Sequence, residues 1–204
     1  MESKQYQIES EDVSTESLSQ NPGSSPEFNL SSEEQKIFSS KGAIVSVDNP
    51  KPFQMSLLTT NLSLGRLTPG KISTASNTIQ LYSSNGYQIS VSAARPLTSL
   101  NGAILKNTQC DSGCSYLHAA PWKSSNVTGL GYSLKGSYLP EDIKDPTYYR
   151  ALADLSNNER PVKIIDSLVP IEAAEHTMLF KAIPNEKDTQ SYSTIITIEA
   201  LPTY

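Results

Sequence analysis

The sequence predicts an all-β protein, an antiparallel sandwich or barrel carrying one short helix. Three observations support this. Apolar and polar residues alternate at period two in several short stretches, the pattern of strands with one buried face. Clusters of Gly, Pro, Asn and Asp separate those stretches at intervals of about ten residues. The alternation also disfavours a parallel α/β sheet, whose strands are covered on both faces and read as continuous apolar runs.

The clearest stretch is residues 78–94, TIQLYSSNGYQISVSAA. Ile79 and Leu81 alternate on one side of Asn85-Gly86, and Tyr87, Ile89 and Val91 on the other. Asn-Gly suits a two-residue type I′ turn, which needs positive φ at both positions. The expectation is an antiparallel hairpin on which the rest of the body pairs or packs.

The 204 residues suit one domain with a full core. Two regions differ in composition. Residues 1–41 hold eight acids against three lysines, which accounts for the whole net charge of −5. This arm has eleven serines in its first 40 residues and few large apolar groups, so it is expected to be disordered. SSEEQKIF (31–38) is its one helical candidate, with serine caps and glutamates in the first turn. Residues 42–204 form the β domain and carry 13 basic and 13 acidic residues. A neutral body has no general basic footprint for nucleic acid. No stretch approaches the roughly 18 apolar residues of a membrane helix. MESKQYQIES has neither the basic start nor the apolar run of a signal peptide, so an exported protein is expected to have lost its leader.

Within the body, Ala43, Ile44, Val45, Ser46 and Val47 read as the first strand, ended by Asp48-Asn49-Pro50. Residues 54–60 form the next. NLSLGRL (61–67) alternates and then slips at Gly65, which suggests a bulge or a close backbone approach. Thr68-Pro69-Gly70 is a turn with Pro and Gly at its two central positions. After the hairpin, residues 95–121 are irregular and too long for a plain connection, so an ordered excursion is expected. Residues 127–134 make a short strand. Asp145-Pro146 opens a helix over TYYRALADL, with Asp145 as N-cap and Pro146 at the first helical position. Strands at 162–165, 177–183 and 191–201 follow, the last with Tyr192, Thr194, Ile196, Ile198 and Ala200 on one face.

LSLGRLTPG (62–70), followed by a long alternating strand, resembles the apolar-x-Phe-Gly-x-Leu-x-Pro-Gly opening of secreted bacterial Ig-like sandwiches. DTQSYSTIITIEALPTY (188–204) resembles their last strand, Gly-x-Tyr-x-x-x-Ile-x-Ile. The groups concerned are fimbrial subunits, spore coat U-type proteins and WxL-like surface proteins. Here Ser191 stands where those proteins have glycine, and the cysteine pair is local rather than joining separate strands. The resemblance implies an Ig-like β-sandwich with a surface or filament-building role and no catalysis.

Candidate chemistry is sparse. Cys110 and Cys114 in CDSGC flank Ser-Gly and can close a small loop disulfide, which implies an oxidising compartment. Asp111 and His118 nearby raise zinc as the competing reading, but structural zinc sites favour two separated ligand pairs. His118 and His176 are the only histidines. No Gly-x-Ser-x-Gly occurs, and Gly129-Leu130-Gly131 is not followed by the Gly-Lys-Ser/Thr of a phosphate loop. His176 reads as a surface histidine at a strand start. Glu141, Asp142 and Asp145 read as solvated acids ahead of the helix, since calcium needs six to eight oxygens. Nothing calls for a cofactor. Tyr116, Trp122, Tyr132, Tyr138, Tyr148 and Tyr149 place six of fifteen aromatics within 34 residues. Exposed, they form a platform for sugars or protein partners. Buried, they form a satellite core under the excursion.

The expected function is that of a non-enzymatic extracellular or cell-surface protein, a filament subunit or adhesin. It would assemble by edge-strand pairing, with Ala43, Ile44, Val45, Ser46 and Val47 as the exchanged strand. Its partners would be further copies of itself, surface proteins or glycans. The alternative is a carbohydrate-binding module built on the aromatic patch around Trp122, and a hydrolase without a recognisable site is the third reading.

Overall fold

The computed structural model describes residues 2–9, 53–185 and 191–203. Among them are thirteen strands. In order they are β1 (Glu2–Glu9), β2 (Gln54–Leu57), β3 (Asn61–Ser63), β4 (Ser73–Ser83), β5 (Gly86–Ala93), β6 (Leu97–Ser99) and β7 (Ile104–Leu105). Then come β8 (Ala120–Pro121), β9 (Gly129–Lys135), β10 (Tyr148–Tyr149), β11 (Val162–Ser167), β12 (Ile171–Ile183) and β13 (Tyr192–Thr203). The first sheet runs β11-β5-β13-β1-β3, with β6 and β7 continuing beside β13. The second runs β2-β4-β12-β9, and β8 and β10 form a small separate pair. The fold is all-β, and every strand pair is antiparallel except β1 with β3.

Both main sheets feed one hydrophobic core. Ile79, Leu81, Met178 and Phe180 come from the second sheet, and Ile89, Val91, Ile165, Ile196 and Ile198 from the first. Each such side chain, fully withdrawn from water, contributes roughly 1.5–3 kcal/mol before chain entropy is set against it. β13 follows its sequence pattern: Tyr192, Thr194, Ile196, Ile198 and Ala200 are all buried. The Thr68 turn also forms as expected, with Lys71 N–H donating to Thr68 O at 3.0 Å and Gly70 at φ +67°. Gly65 has φ +65° with open space around it, so it serves a turn and not a close approach.

The 78–94 hairpin does not form. β4 and β5 flank the expected bend but belong to different sheets, so the chain crosses from one layer to the other. Neither Asn85 nor Gly86 has positive φ, which excludes a type I′ turn. Gly86 is needed for space instead: a Cβ there would lie 2.3 Å from both Ser167 O and Thr203 Oγ1. Period two is identical for strands that pair and for strands that face each other across a core, so alternation could not separate the two.

The helix after Asp145 is also absent. The Asp145 carboxylate accepts from Thr147 N–H at 2.7 Å and Thr147 Oγ1 at 2.6 Å, and Tyr148 N–H closes one turn onto Asp145 O. The chain then extends, because β10 pairs with β8 and Arg150 exchanges backbone bonds with Tyr132 at 2.8 and 2.9 Å. A cap-type side chain supports an isolated turn as well as a helix start, and tertiary pairing decided between them. The one helical element described is a 3₁₀ turn, Leu155–Asn157.

The arm needs a further correction. Glu2–Glu9, read as disordered, is a strand paired along its length with β13, and its end lies beside β3. Ladder hydrogen bonds come from the main chain and need no apolar composition, so an otherwise open strand edge can capture a polar segment. The remainder of the arm, the 31–38 helix candidate and the strand Ala43, Ile44, Val45, Ser46 and Val47 lie outside the described residues.

Candidate functional site

The excursion folds over one half of the outer face of the second sheet. Glycines on β9 make this possible: a Cβ on Gly131 would stand 2.7 Å from Thr108 Cγ2 and 3.3 Å from the Trp122 ring. Cys110 and Cys114 are bridged, with Cα atoms 5.3 Å apart, so the disulfide reading holds and their thiols are not zinc ligands. The two cysteines, Ala120, Trp122 and Ile183 form a second small core, with Val127 and Tyr149 at its margin. Trp122 Nε1 donates to Val127 O at 3.0 Å, and Tyr149 meets the indole edge-on at 5.4 Å.

Lys181 on β12 reaches up into this core. Its Nζ lies 4.4 Å from the Trp122 ring centre and 5.4 Å from that of Tyr149, and donates to Trp122 O at 2.7 Å. Burial lowers its pKa, while the charge of Asp111 acts the other way. Cation–π contacts and one carbonyl thus replace water around a buried ammonium. No residue near Lys181 in the chain signals this role, because the aromatic partners are remote in sequence.

This geometry overturns the aromatic platform. Trp122 is 1% exposed, and Tyr132 is fully buried in the main core. Tyr116 packs partly buried against that main core, Tyr149 is half-buried against Trp122, and Tyr148 is half-buried with Lys144 Nζ 6.0 Å from its ring centre. Only Tyr138, 46% exposed, stands out in solvent. The six aromatics are divided between two cores and the surface because the glycines of β9 draw the excursion down onto the sheet.

Glu141 and Asp145 are exposed as read, but one acid and one histidine differ from expectation. Asp142 is not a solvated acid: it forms an ion pair with the buried Arg150 and accepts from Ala119 N–H at 2.5 Å. Burial pushes its carboxyl up, but Arg150 and the Ala119 amide outweigh that and hold it below the ordinary carboxylate range. His176 is not on the surface but 0% exposed between the sheets. Its Nε2 lies 2.9 Å from the Tyr87 hydroxyl of β5, and its Nδ1 has no partner. Burial pushes the imidazole down to about 4. His118 lies in an exposed loop. Among the described residues, no three His, Cys, Asp or Glu side chains are grouped to hold a metal ion, and no helix is long and apolar enough to cross a membrane.

The other feature with functional bearing is the place of β1. It lies between β13 and β3, in register from Glu2↔Ala200 to Glu9↔Ser193 on one side and from Gln7↔Asn61 to Glu9↔Ser63 on the other. Sequence reasoning missed it, although Tyr6 and Ile8 stand at the period-two spacing of a strand. Compared with known protein families, curated proteins and solved structures, the chain matches none.

Proposed function

We infer that this is a non-enzymatic extracellular or cell-surface protein, a structural subunit or adhesin that assembles by strand pairing between copies. The observation that carries the reading is β1. A strand drawn from residues 2–9 fills the space between β13 and β3, and residues 10–53 separate it from the next strand described. A connection of that length lets the segment pair with its own body or with a neighbour's, since closure cost changes only slowly with length. Exchange of such an element is a low-cost route to assembly. Edge-strand addition supplies main-chain bonds along the whole strand.

Two further observations support it. The motifs resembling secreted Ig-like surface proteins are β3 with its following turn and β13, the two neighbours of β1. The Cys110–Cys114 bridge is at home in an oxidising compartment. Burial of Trp122 removes the ground for a sugar platform around that residue.

Deletion of residues 1–9 tests the assembly. The shortened protein should associate or aggregate with rising concentration in analytical ultracentrifugation, because the β13 edge is opened. A synthetic peptide of residues 1–10 should bind it and suppress that association. A deletion variant that stays monomeric, soluble and as stable as the parent would refute strand exchange.

A further inference from the structure

The described residues leave the other half of the second sheet's outer face open, and it carries a groove of about 540 Å³. Two rows of side chains build it. In the first, the register sets Ser56 of β2 beside Gln80 of β4, and Gln80 beside Glu175 of β12. Gln80 Nε2 donates to Glu175 Oε1 at 3.0 Å, which fixes one amide and one carboxylate together. The second row starts with Gln54 beside Tyr82. Beyond Tyr82, β12 shifts register between Ile171 and Ala174. Glu172 and Ala173 therefore occupy a bulge, and both are exposed. A bulge bends its strand and re-aims the side chains next to it. The bend and the small Ala173 side chain leave a hollow flanked by the half-buried Tyr82.

The chemistry of the lining restricts the occupant. Amides offer donors and acceptors, whereas ionised carboxylates only accept. Among the described residues, no Lys or Arg lines the groove. A ligand must therefore bring donors for the two carboxylates and no negative charge. Hydroxyl groups each supply a donor without charge and can accept from the amides, and sulfate, phosphate or carboxylate groups would face Glu172 and Glu175 as like charges. A divalent cation fits poorly, because two carboxylates fall short of the six to eight oxygens calcium takes. The volume lies within the roughly 300–1,000 Å³ of small-ligand sites. Tyr82 adds aromatic area at low entropy cost.

The geometry points to a binding site for uncharged carbohydrate on β2, β4 and the bulge of β12, centred on Tyr82 and Glu172. The site lies on the sheet that does not hold β1, so it stands or falls independently of strand exchange.

The test is a printed array of neutral, sialylated and sulfated glycans, probed with the full chain, Tyr82→Ala and Ala173→Arg. Ala173→Arg fills the groove from an exposed position, so it tests the site even if Tyr82→Ala fails to fold. The full chain should bind neutral glycans and no anionic ones. Each folded variant should bind about tenfold more weakly or worse, with an unchanged circular dichroism spectrum. Absence of binding to every neutral glycan, undiminished binding by Ala173→Arg, or preference for the anionic glycans would overturn the proposal.

Discussion

Mild acid should strike this protein at the seam between its sheets. His176 is enclosed in the core, with one ring nitrogen on Tyr87 and the other unpartnered. Burial lowers its pKa from 6.5 to about 4. The unfolded chain therefore takes up this proton near pH 6.5, while the folded chain resists it until about pH 4. Between those values the unfolded state holds more protons, so stability falls as pH falls. The contribution is intact above pH 6.5, and the loss levels off below about pH 4. At about 1.4 kcal/mol per pH unit the full loss is on the order of 3 kcal/mol, with roughly 2–3 kcal/mol already gone at pH 4.5. Other groups facing the ring do not mask this. Burial and the nearby Tyr138 push Tyr87 up to about 12, so it stays neutral, and Glu175 is turned outward onto Gln80. Urea unfolding at pH 7 and pH 4.5 should be compared for the parent and His176→Gln, which retains a hydrogen-bonding group for Tyr87 but does not titrate. The parent should lose more stability on acidification than the variant by roughly 2 kcal/mol. Equal losses, within about 0.5 kcal/mol, would refute the argument.

Two further outcomes follow from the structure. Native, non-reduced protein should show no titratable thiol, and Cys110→Ser with Cys114→Ser should lower stability by about 2 kcal/mol, the loop-entropy value for so short a closure, read by chemical denaturation. Gly86→Ala should cost about 2 kcal/mol or more in the same assay, because its methyl group meets two oxygens at 2.3 Å. Ala at Gly65, where only the positive φ resists, should cost about 1 kcal/mol.

Element type was legible in the sequence wherever one face alone is buried. β13 and the inner face of β4 show it, since Ile79, Leu81, Ile196 and Ile198 stand at period two in both sequence and core. Which strand pairs with which was not legible, and residues 78–94 show why: turn chemistry and alternation are shared by a hairpin and a crossover between layers. Trp122 and Lys181 were opaque for a different reason. Whether a tryptophan is a platform or a core residue depends on what lies over it, and here that is decided by glycines on β9 and a lysine 59 positions along the chain. His176 looked exposed because its neighbours Glu175 and Thr177 are polar, yet in a strand those neighbours point to the opposite face. The groove rests on a bulge, and a single shift of register leaves no compositional mark.

The position of β1 also dictates an order of events during synthesis. Its longest partner, β13, follows it by nearly the whole chain, and β3 offers only three paired positions before that. At about 5–20 residues per second, roughly 10–40 s pass between the emergence of the two strands from the ribosome. Through that interval the segment has no permanent mate. High contact order of this kind slows folding to the millisecond-to-second range even after release. The first sheet is thus finished last, and a chain arrested before residue 192 would lack β13, the strand that joins β5 to β1.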